Sequence, residues 1–163
     1  MNDIRKSVYD VLDDLSIEYE VTDHPAVFTI EEMDKLGLGV KGEVVKNLFL
    51  RDDKKINFYI LTLCSEKRAD LKELRAKLGS RPLTFASEES LFEIMKLQRG
   101  AVTPFGVIND TERRVRVIFD KDIFQFSKIG VHPNDNTATV WLSPRDLRKA
   151  VAKNGNEVME IEI

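Results

Sequence analysis

The chain has 163 residues, of which 42% are hydrophobic and 33% charged, so its composition excludes a disordered chain and fits one domain over residues 1–163. The net charge of −3 argues against a dedicated duplex-DNA binder, because such proteins need a strongly basic surface. The single cysteine excludes an internal disulfide and suits a reducing cytosol, and no apolar run reaches the roughly 20 residues of a membrane span. We therefore expect a cytoplasmic protein with no membrane partner.

Hydrophobic periodicity predicts the elements of the N-terminal half. In chain order these are a helix over residues 4–15, a strand over 18–23, a short helix over 29–36 and two strands over 44–50 and 56–63. Thr29 and Glu32 have capping-box spacing at the start of the short helix, and residues 37–39 are expected to end it. Residues 52–54 predict a tight hairpin turn between the two strands.

The C-terminal half contains further short helices and strands. They are a helix over 71–78, a helix after Ser87 reaching Met95, a loop over 100–106, strands over 114–119 and 138–142, a helix from Ser143 to about Asn154, and a strand over 158–163. Strands and helices do not alternate regularly, so a doubly wound parallel sheet is not expected. The sequence predicts an α+β fold with a mixed, strongly curved, barrel-like sheet surrounded by helices.

Several catalytic chemistries are missing from the chain. Two histidines and one cysteine are too few for a Cys/His zinc cluster, and neither a G-x-S-x-G elbow nor a phosphate-binding glycine motif occurs. Spacing leaves open a nucleophile pair of Cys64 with a histidine, although the place of Cys64 at the end of an apolar strand favours a buried, inert thiol. An enzyme built on this chain would depend on electrostatics and positioning, and we expect no metal and no cofactor.

Two segments can place polar groups around a ligand. In residues 100–106, small residues and Pro104 predict a rigid loop whose N–H groups can bind an oxyanion; the alternative is a plain connection from helix to strand. In the strand over 44–50, Lys46 shares its face with Val44 and Leu48. If that face is buried, the cation indicates a bound anion or polarised carbonyl; in the other register Lys46 extends to water.

Two further segments carry aromatic or polar side chains. Residues 131–139 place His132, two amides and two hydroxyls before a strand, where they can orient a ligand or simply form a turn. Residues 24–29 place Phe28 before a capped helix. Phe28 can stack on a base or cover a pocket, or it can be a core aromatic.

Together these segments resemble the YbaK/ProX family of prolyl-tRNA editing domains. The resemblance covers almost the whole chain and depends on four motifs in the family's order. They are His24-Pro25 with Phe28-Thr29, residues 45–50, the G-x-x-x-P loop of residues 100–104 with Phe105-Gly106, and His132-Pro133 with residues 136–139. It implies the fold of that family and hydrolysis of the ester that joins an aminoacyl group to the terminal ribose of tRNA.

The resemblance also implies roles for individual residues. Loop N–H groups would hold the aminoacyl carbonyl as charge develops on it, while a vicinal ribose hydroxyl of the tRNA assists the attacking water. The residues that it assigns to catalysis are Lys46, Gly100, Ala101, Val102, Thr103 and Pro104. The residues that it assigns to substrate binding are Phe28, Thr29, Asn47, His132 and Asn136.

Within the family, the chain is most similar to the stand-alone alanyl-tRNA(Pro) deacylases. This implies a trans-acting enzyme that contacts tRNA(Pro) at its acceptor end and makes a transient contact with prolyl-tRNA synthetase. Thr103 stands where some relatives have serine, so preference for cysteine, serine or threonine remains an alternative. A non-catalytic module that binds tRNA ends or nucleotides is the alternative from another functional class.

Overall fold

The computed structural model describes residues 3–37 and 41–163, which form an eight-stranded sheet with helices around it. The strands are β1 (Glu20–Asp23), β2 (Glu43–Asp52), β3 (Phe58–Cys64), β4 (Leu83–Phe85), β5 (Val115–Asp120), β6 (Ile129–Val131), β7 (Ala138–Leu142) and β8 (Val158–Ile161). The α-helices are α1 (Asp3–Asp14), α2 (Ile30–Lys35), α3 (Leu71–Leu78), α4 (Glu88–Met95) and α5 (Pro144–Ala152), and 3₁₀ helices cover Pro104–Asn109 and Lys121–Gln125. Among these residues, none of the helices combines the length and apolar character that crossing a bilayer requires.

The sheet is mixed and open. Its strand order is β1-β7-β6-β2-β3-β5-β8, and β4 pairs with β2 beside this path. The pairs β2–β6, β3–β5 and β5–β8 are parallel, whereas β1–β7, β6–β7, β2–β3 and β2–β4 are antiparallel. The predicted mixed α+β fold is confirmed. The sheet is not closed into a barrel, however, because β1 and β8 end the strand order without pairing with each other in the described part of the chain.

Helices cover both faces of the sheet. On one face, α1, α4 and α5 pack on alternate strand residues such as Phe49, Val117 and Val140. On the other face, α3 packs through Leu74 on the intervening residues of β2, β3 and β5. In a separate small cluster, Met33 of α2 packs on Trp141 of β7. Both faces of β2 are therefore covered. Neither alternative predicted for Lys46, a buried strand face or a solvated one, describes this strand fully.

Local capping signals fix most helix ends. The side chains of Thr29, Ser87 and Ser143 each accept a hydrogen bond from an N–H in the first turn of the helix that follows, as the sequence predicts. Gly79 ends α3 in the left-handed conformation, with φ of 64°. The expected end of α2 falls partly on residues 38 and 39, which lie outside the described residues.

Three short elements were not predicted from the sequence, and part of one loop was assigned wrongly. Three-residue strands β4 and β6 and the 3₁₀ helix Lys121–Gln125 lack a local periodic signal, and the two strands form only because β2 or β7 supplies a partner. Residues 104–106, expected in a loop, begin the 3₁₀ helix Pro104–Asn109. Its cause is local, since Thr103 caps the N–H of Phe105 and Pro104 occupies the first turn.

Candidate functional site

A cavity opens where β2 and β6 separate. β6 pairs with only the first two residues of β2, and β4 pairs with β2 from Leu50 onward. On that edge, residues 45–49 of β2 have no strand partner within the described chain. Paired strands lie about 5 Å apart, so the separation leaves room beside this edge, and the cavity there has a volume of about 250 Å³.

The cavity collects most of the predicted site residues. Seven of the eleven line it, namely Phe28, Thr29, Lys46, Asn47, Gly100, Val102 and His132. These residues come from four separate stretches of the sequence, and the sheet brings them together. Lys46 and the loop that begins at Gly100 therefore share one cavity, although more than fifty residues separate them in the chain.

The other four predicted residues do not line the cavity. Ala101 is buried and its N–H donates to the carbonyl of Gln98 at 3.1 Å. Thr103 is fully buried and caps the 3₁₀ helix, while Pro104 has no N–H to donate. Asn136 donates from Nδ2 to the carbonyl of Val27 at 2.8 Å, so its amide connects two segments of the cavity wall.

Part of the cavity lining was not predicted from the sequence. The apolar floor of the cavity includes Val27, which precedes α2, Met33 of α2, Val44 of β2 and Val131 of β6, and Thr139 adds a hydroxyl. The apolar residues can be assigned to the cavity only from the folded structure, because valine and methionine at these spacings are typical of any hydrophobic core. Gly130 completes the wall, and a Cβ there would lie 2.6 Å from the ring of Trp141.

Lys46 is half-buried on the face of β2 that also carries Leu48 and Leu50. It pairs across the strands with Leu63, and its ammonium donates a hydrogen bond to the main-chain carbonyl of Lys67. An ammonium has three donors and no acceptor. One donor is occupied by the carbonyl. Within residues 3–37 and 41–163 the other two have no acceptor, so they can bind a negative or polarised group in the cavity.

Asn47 lines the cavity, and a hydrogen bond to its side-chain oxygen orients its amide. The hydroxyl of Thr62, directly across on β3, donates to Asn47 Oδ1 at 2.6 Å. Thr62 is fully buried, so no water competes for this bond. With the oxygen occupied, the side of the Asn47 amide that remains for a ligand is its NH₂ donor.

The ring of His132 is an acceptor in its neutral form. Its Nδ1 lies 2.9 Å from the carbonyl of Ala138, and because a carbonyl only accepts, Nδ1 carries the proton and Nε2 keeps a lone pair. Burial lowers the pKa of His132, and the charge of His24 lowers it further, against opposing effects of the Ala138 carbonyl and Asp135. At neutral pH the cavity therefore contains an uncharged imidazole.

This lowered pKa predicts an acid-sensitive contribution to stability. Near pH 7 and above, neither state protonates His132; as the pH falls through about 6.5, the unfolded chain takes up a proton that the folded chain does not. The free energy of unfolding should then fall by up to about 1.4 kcal/mol per pH unit until the folded pKa is reached. Urea titrations of the wild type and His132→Gln between pH 7.5 and 5 should show the steeper decline in the wild type; parallel declines would contradict this.

Gly100 brings the loop close to the ring of Phe28. Its φ is +86°, and a Cβ there would lie 2.5 Å from Phe28 Cδ1. Phe28 is 61% exposed, so its ring covers the glycine from the solvent side rather than packing in the core. The N–H groups of Gly100 and Val102 have no hydrogen-bond partner among residues 3–37 and 41–163. These two N–H groups can therefore donate hydrogen bonds to a ligand at the cavity wall.

Cys64 does not provide a nucleophile. It is buried outside the cavity lining, and desolvation, with the nearby charge of Asp120, raises the pKa of its thiol to about 11. The thiolate is the reactive form, and almost none of it exists at neutral pH. Among the described residues, the cavity lining contains neither a carboxylate nor a thiol.

Comparison with known proteins identifies the family of this chain. A family model described as "Aminoacyl-tRNA editing domain" matches residues 24–150. The chain is 47% identical over 161 residues to the Prolyl-tRNA editing protein ProX of Acetoanaerobium sticklandii, covering 99% of this chain and 98% of that protein. It is 35% identical over 160 residues to Prolyl-tRNA synthetase associated domain-containing protein 1 of Mus musculus, covering 96% and 94%.

Solved structures share the fold at lower identity. One, described as a candidate trans-editing enzyme for prolyl-tRNA synthetase, has a TM-score of 0.76 and 21% identity and covers 100% of this chain and 99% of that one. The crystal structure of hypothetical protein APE2540 also has a TM-score of 0.76, with 19% identity and 94% and 97% covered. From the family match and the near full-length relatives, the chain belongs to the aminoacyl-tRNA editing domain family and is an aminoacyl-tRNA deacylase.

Proposed function

We propose that the protein removes alanine from mischarged alanyl-tRNA(Pro), acting in trans in the cytoplasm. The observation that carries this proposal is the single cavity shared by Lys46 and the loop at Gly100, lined by donors and by a neutral imidazole. Its relative from Acetoanaerobium sticklandii is named a prolyl-tRNA editing protein. The acceptor end of tRNA(Pro) would enter the cavity, and a transient contact with prolyl-tRNA synthetase would bring the substrate close.

In this proposal the protein positions the ester and stabilises developing negative charge. Water attacks the carbonyl carbon, the bond to the ribose oxygen breaks, and free alanine and tRNA leave. The N–H groups of Gly100 and Val102 would receive the carbonyl oxygen as it becomes negative; removing one such donor typically costs about 10²–10³ in rate. The vicinal ribose hydroxyl would assist the water, which accounts for the missing carboxylate and thiol.

Lys46, Asn47 and His132 would orient the tRNA end. Lys46 contributes positive charge for a phosphate or ribose oxygen, Asn47 donates from its amide, and Nε2 of His132 accepts from a hydroxyl or ammonium. Phe28 would cover the loop and stack on the terminal base, since an exposed aromatic ring binds any base through its face. Thr29 lies beside it at the start of α2.

Such an enzyme complements the limited selectivity of a proline-activating site. A larger pocket cannot strongly reject a smaller side chain, because a missing methylene is worth only about 1–3 kcal/mol. A second site that accepts alanine and sterically excludes proline completes a double sieve. We assign the excluding wall to the apolar floor formed by Val27, Met33, Val44 and Val131.

A deacylation panel tests the proposal. Purified protein is incubated with tRNA(Pro) charged with alanine, proline, cysteine, serine or threonine, and the remaining ester is measured against buffer. The expected result is rapid loss of alanine with proline retained. Faster loss of cysteine, serine or threonine would show that this amino acid, and not alanine, is the preferred substrate. Binding without any hydrolysis would instead support a non-catalytic module.

The hydroxyl of Thr62 allows a test of whether catalysis needs a fixed orientation of the Asn47 amide. Thr62→Val keeps the shape but removes the hydroxyl that holds Asn47 Oδ1, so the amide can rotate. We expect kcat/KM for alanyl-tRNA(Pro) to fall about tenfold, the equivalent of one hydrogen bond of roughly 1.4 kcal/mol. Thr84→Val, an exposed change on β4, is the matched control. Equal activity of both variants would show that Asn47 needs no fixed orientation.

A further inference from the structure

The carbonyl that receives the Lys46 ammonium belongs to Lys67, in the segment that follows β3. We propose that Lys67 is a positioning residue for Lys46, and that its salt bridge with Asp120 fixes the main-chain carbonyl that orients the Lys46 ammonium in the cavity. The kinetic test of this inference rests on the proposed function, whereas its chemical-labelling test does not.

The Lys67 side chain enters a dense set of hydrogen bonds behind the cavity. Its Nζ donates to Asp120 Oδ1 at 3.0 Å, to Asp122 Oδ2 at 2.6 Å and to the carbonyl of Ile163 at 3.2 Å. The Asp120 carboxylate also accepts from the N–H groups of Cys64, at 3.2 Å, and Asp122, at 3.0 Å. One carboxylate thus connects the ends of β3 and β5 to the Lys67 side chain.

Burial of the Asp120 carboxylate holds the Lys67 side chain in one position. The Asp120 side chain is 0% exposed and that of Lys67 only 24%. A buried carboxylate is costly unless it is paired, so the Lys67 ammonium is held at this position. The main chain is held as well, because the N–H of Lys67 donates to the carbonyl of Cys64 at 3.0 Å. With both ends of Lys67 fixed, its carbonyl has little freedom to move.

A fixed carbonyl matters because a lysine side chain is flexible. A flexible four-carbon stem separates the ammonium of Lys46 from the strand, and holding that stem in one arrangement costs rotamer entropy. A hydrogen bond to an immobile acceptor selects one arrangement before substrate arrives. The two remaining N–H donors of Lys46 then point in defined directions, which is the condition for effective positioning.

Lys77 offers a matched control on the same side of the molecule. Its ammonium donates to the carbonyl of Glu162, next to the Ile163 carbonyl that Lys67 uses, and pairs with Glu73 at 3.2 Å. Within the described part of the chain, Lys77 forms no hydrogen bond or ion pair with Lys46. Lys77→Met therefore removes a lysine from the same C-terminal segment without disturbing the carbonyl at Lys67.

The first experiment measures the reactivity of the Lys46 amine without substrate. Wild type, Lys67→Met and Lys77→Met are treated with limiting acetic anhydride, and acetylation of Lys46 is measured by peptide mass spectrometry. Loss of a hydrogen bond from a charged donor should raise the labelling rate about tenfold in Lys67→Met. Lys77→Met should match the wild type. An unchanged rate in Lys67→Met would overturn the inference, whatever the protein hydrolyses.

The second experiment is a double-mutant cycle on alanyl-tRNA(Pro) hydrolysis. Misplacing a catalytic group by a small distance costs up to about 10²-fold, so Lys67→Met should lower kcat/KM by about 10- to 100-fold. If Lys67 acts through Lys46, adding Lys67→Met to Lys46→Met should cause no further loss. Multiplying effects would assign Lys67 a role independent of Lys46 and would overturn the inference.

A variant without the buried unpaired charge distinguishes loss of positioning from loss of the fold. Lys67→Met leaves the Asp120 carboxylate buried with fewer partners, which destabilises the fold. The pair Lys67→Met with Asp120→Asn removes both charges and keeps an acceptor for the N–H of Cys64. This double variant should show the same gain in Lys46 labelling and the same loss of kcat/KM. Wild-type labelling and activity in it would contradict the proposal. Lys67→Arg, which keeps the charge, should retain most of the activity.

Discussion

Replacing Lys46 with methionine is expected to lower kcat/KM for alanyl-tRNA(Pro) by about 10²–10³, the cost of removing a principal electrostatic group from an active site. The ammonium is the only cation that lines the cavity within the described residues. Methionine keeps most of the apolar stem that packs beside Leu48 and Leu63, so the loss should come from charge rather than from packing.

Two controls make the Lys46 result decisive. Lys54→Met removes an exposed lysine from the turn at the other end of β2 and should leave kcat/KM unchanged. The thermal midpoint of Lys46→Met should stay close to that of the wild type, because exposed or half-exposed polar substitutions usually change stability by less than about 0.5 kcal/mol. Full activity in a folded Lys46→Met protein would remove Lys46 from the mechanism.

Gly100→Ala should have an effect of similar size for a steric reason. The new Cβ would lie 2.5 Å from Cδ1 and 2.8 Å from Cε1 of Phe28, distances at which either the ring or the loop must move. Movement of the loop displaces the N–H groups of Gly100 and Val102 from the ester oxygen. We therefore expect kcat to fall by about 10²-fold or more, as when an oxyanion donor is lost.

Gly79→Ala separates this steric effect from backbone strain. Gly79 has a similar positive φ of 64°, but a Cβ there meets no atom within 4 Å, and the residue lies at the end of α3. Both alanine variants pay the left-handed strain of roughly 1–2 kcal/mol, which lowers the thermal midpoint. Only Gly100→Ala should lose activity. Comparable kcat values in the two variants would show that Phe28 and the loop tolerate displacement.

The sequence predicted those features that a few neighbouring residues determine. Thr29, Ser87 and Ser143 cap helices through contacts within one turn. The strands β2 and β3 are rich enough in β-branched and large apolar residues to be recognised alone. Strands β4 and β6 could not be predicted, because three residues carry no periodicity and their pairing depends on distant segments. The openness of the sheet could not be predicted for the same reason, since whether β1 and β8 meet is not encoded near either strand.

The candidate site was predicted as a set of segments rather than as a geometry. Motif order brought Lys46, Gly100 and His132 into one hypothesis, and they do share a cavity. The sequence could not reveal which loop residues line the cavity, because Ala101 bonds back to the Gln98 carbonyl and Thr103 caps the 3₁₀ helix that follows. The apolar floor at Met33 and Val131 was also hidden, since such residues look like ordinary core.

The separation of β2 from β6 has a consequence for how activity develops during folding. The cavity has no wall built from consecutive residues alone, since the stretches near positions 28, 46, 101 and 131 meet only after the sheet has assembled. A partly folded chain with native helices would therefore cleave no ester. In a refolding experiment, the return of catalysis should follow the slowest long-range strand pairing rather than the early gain of helical signal.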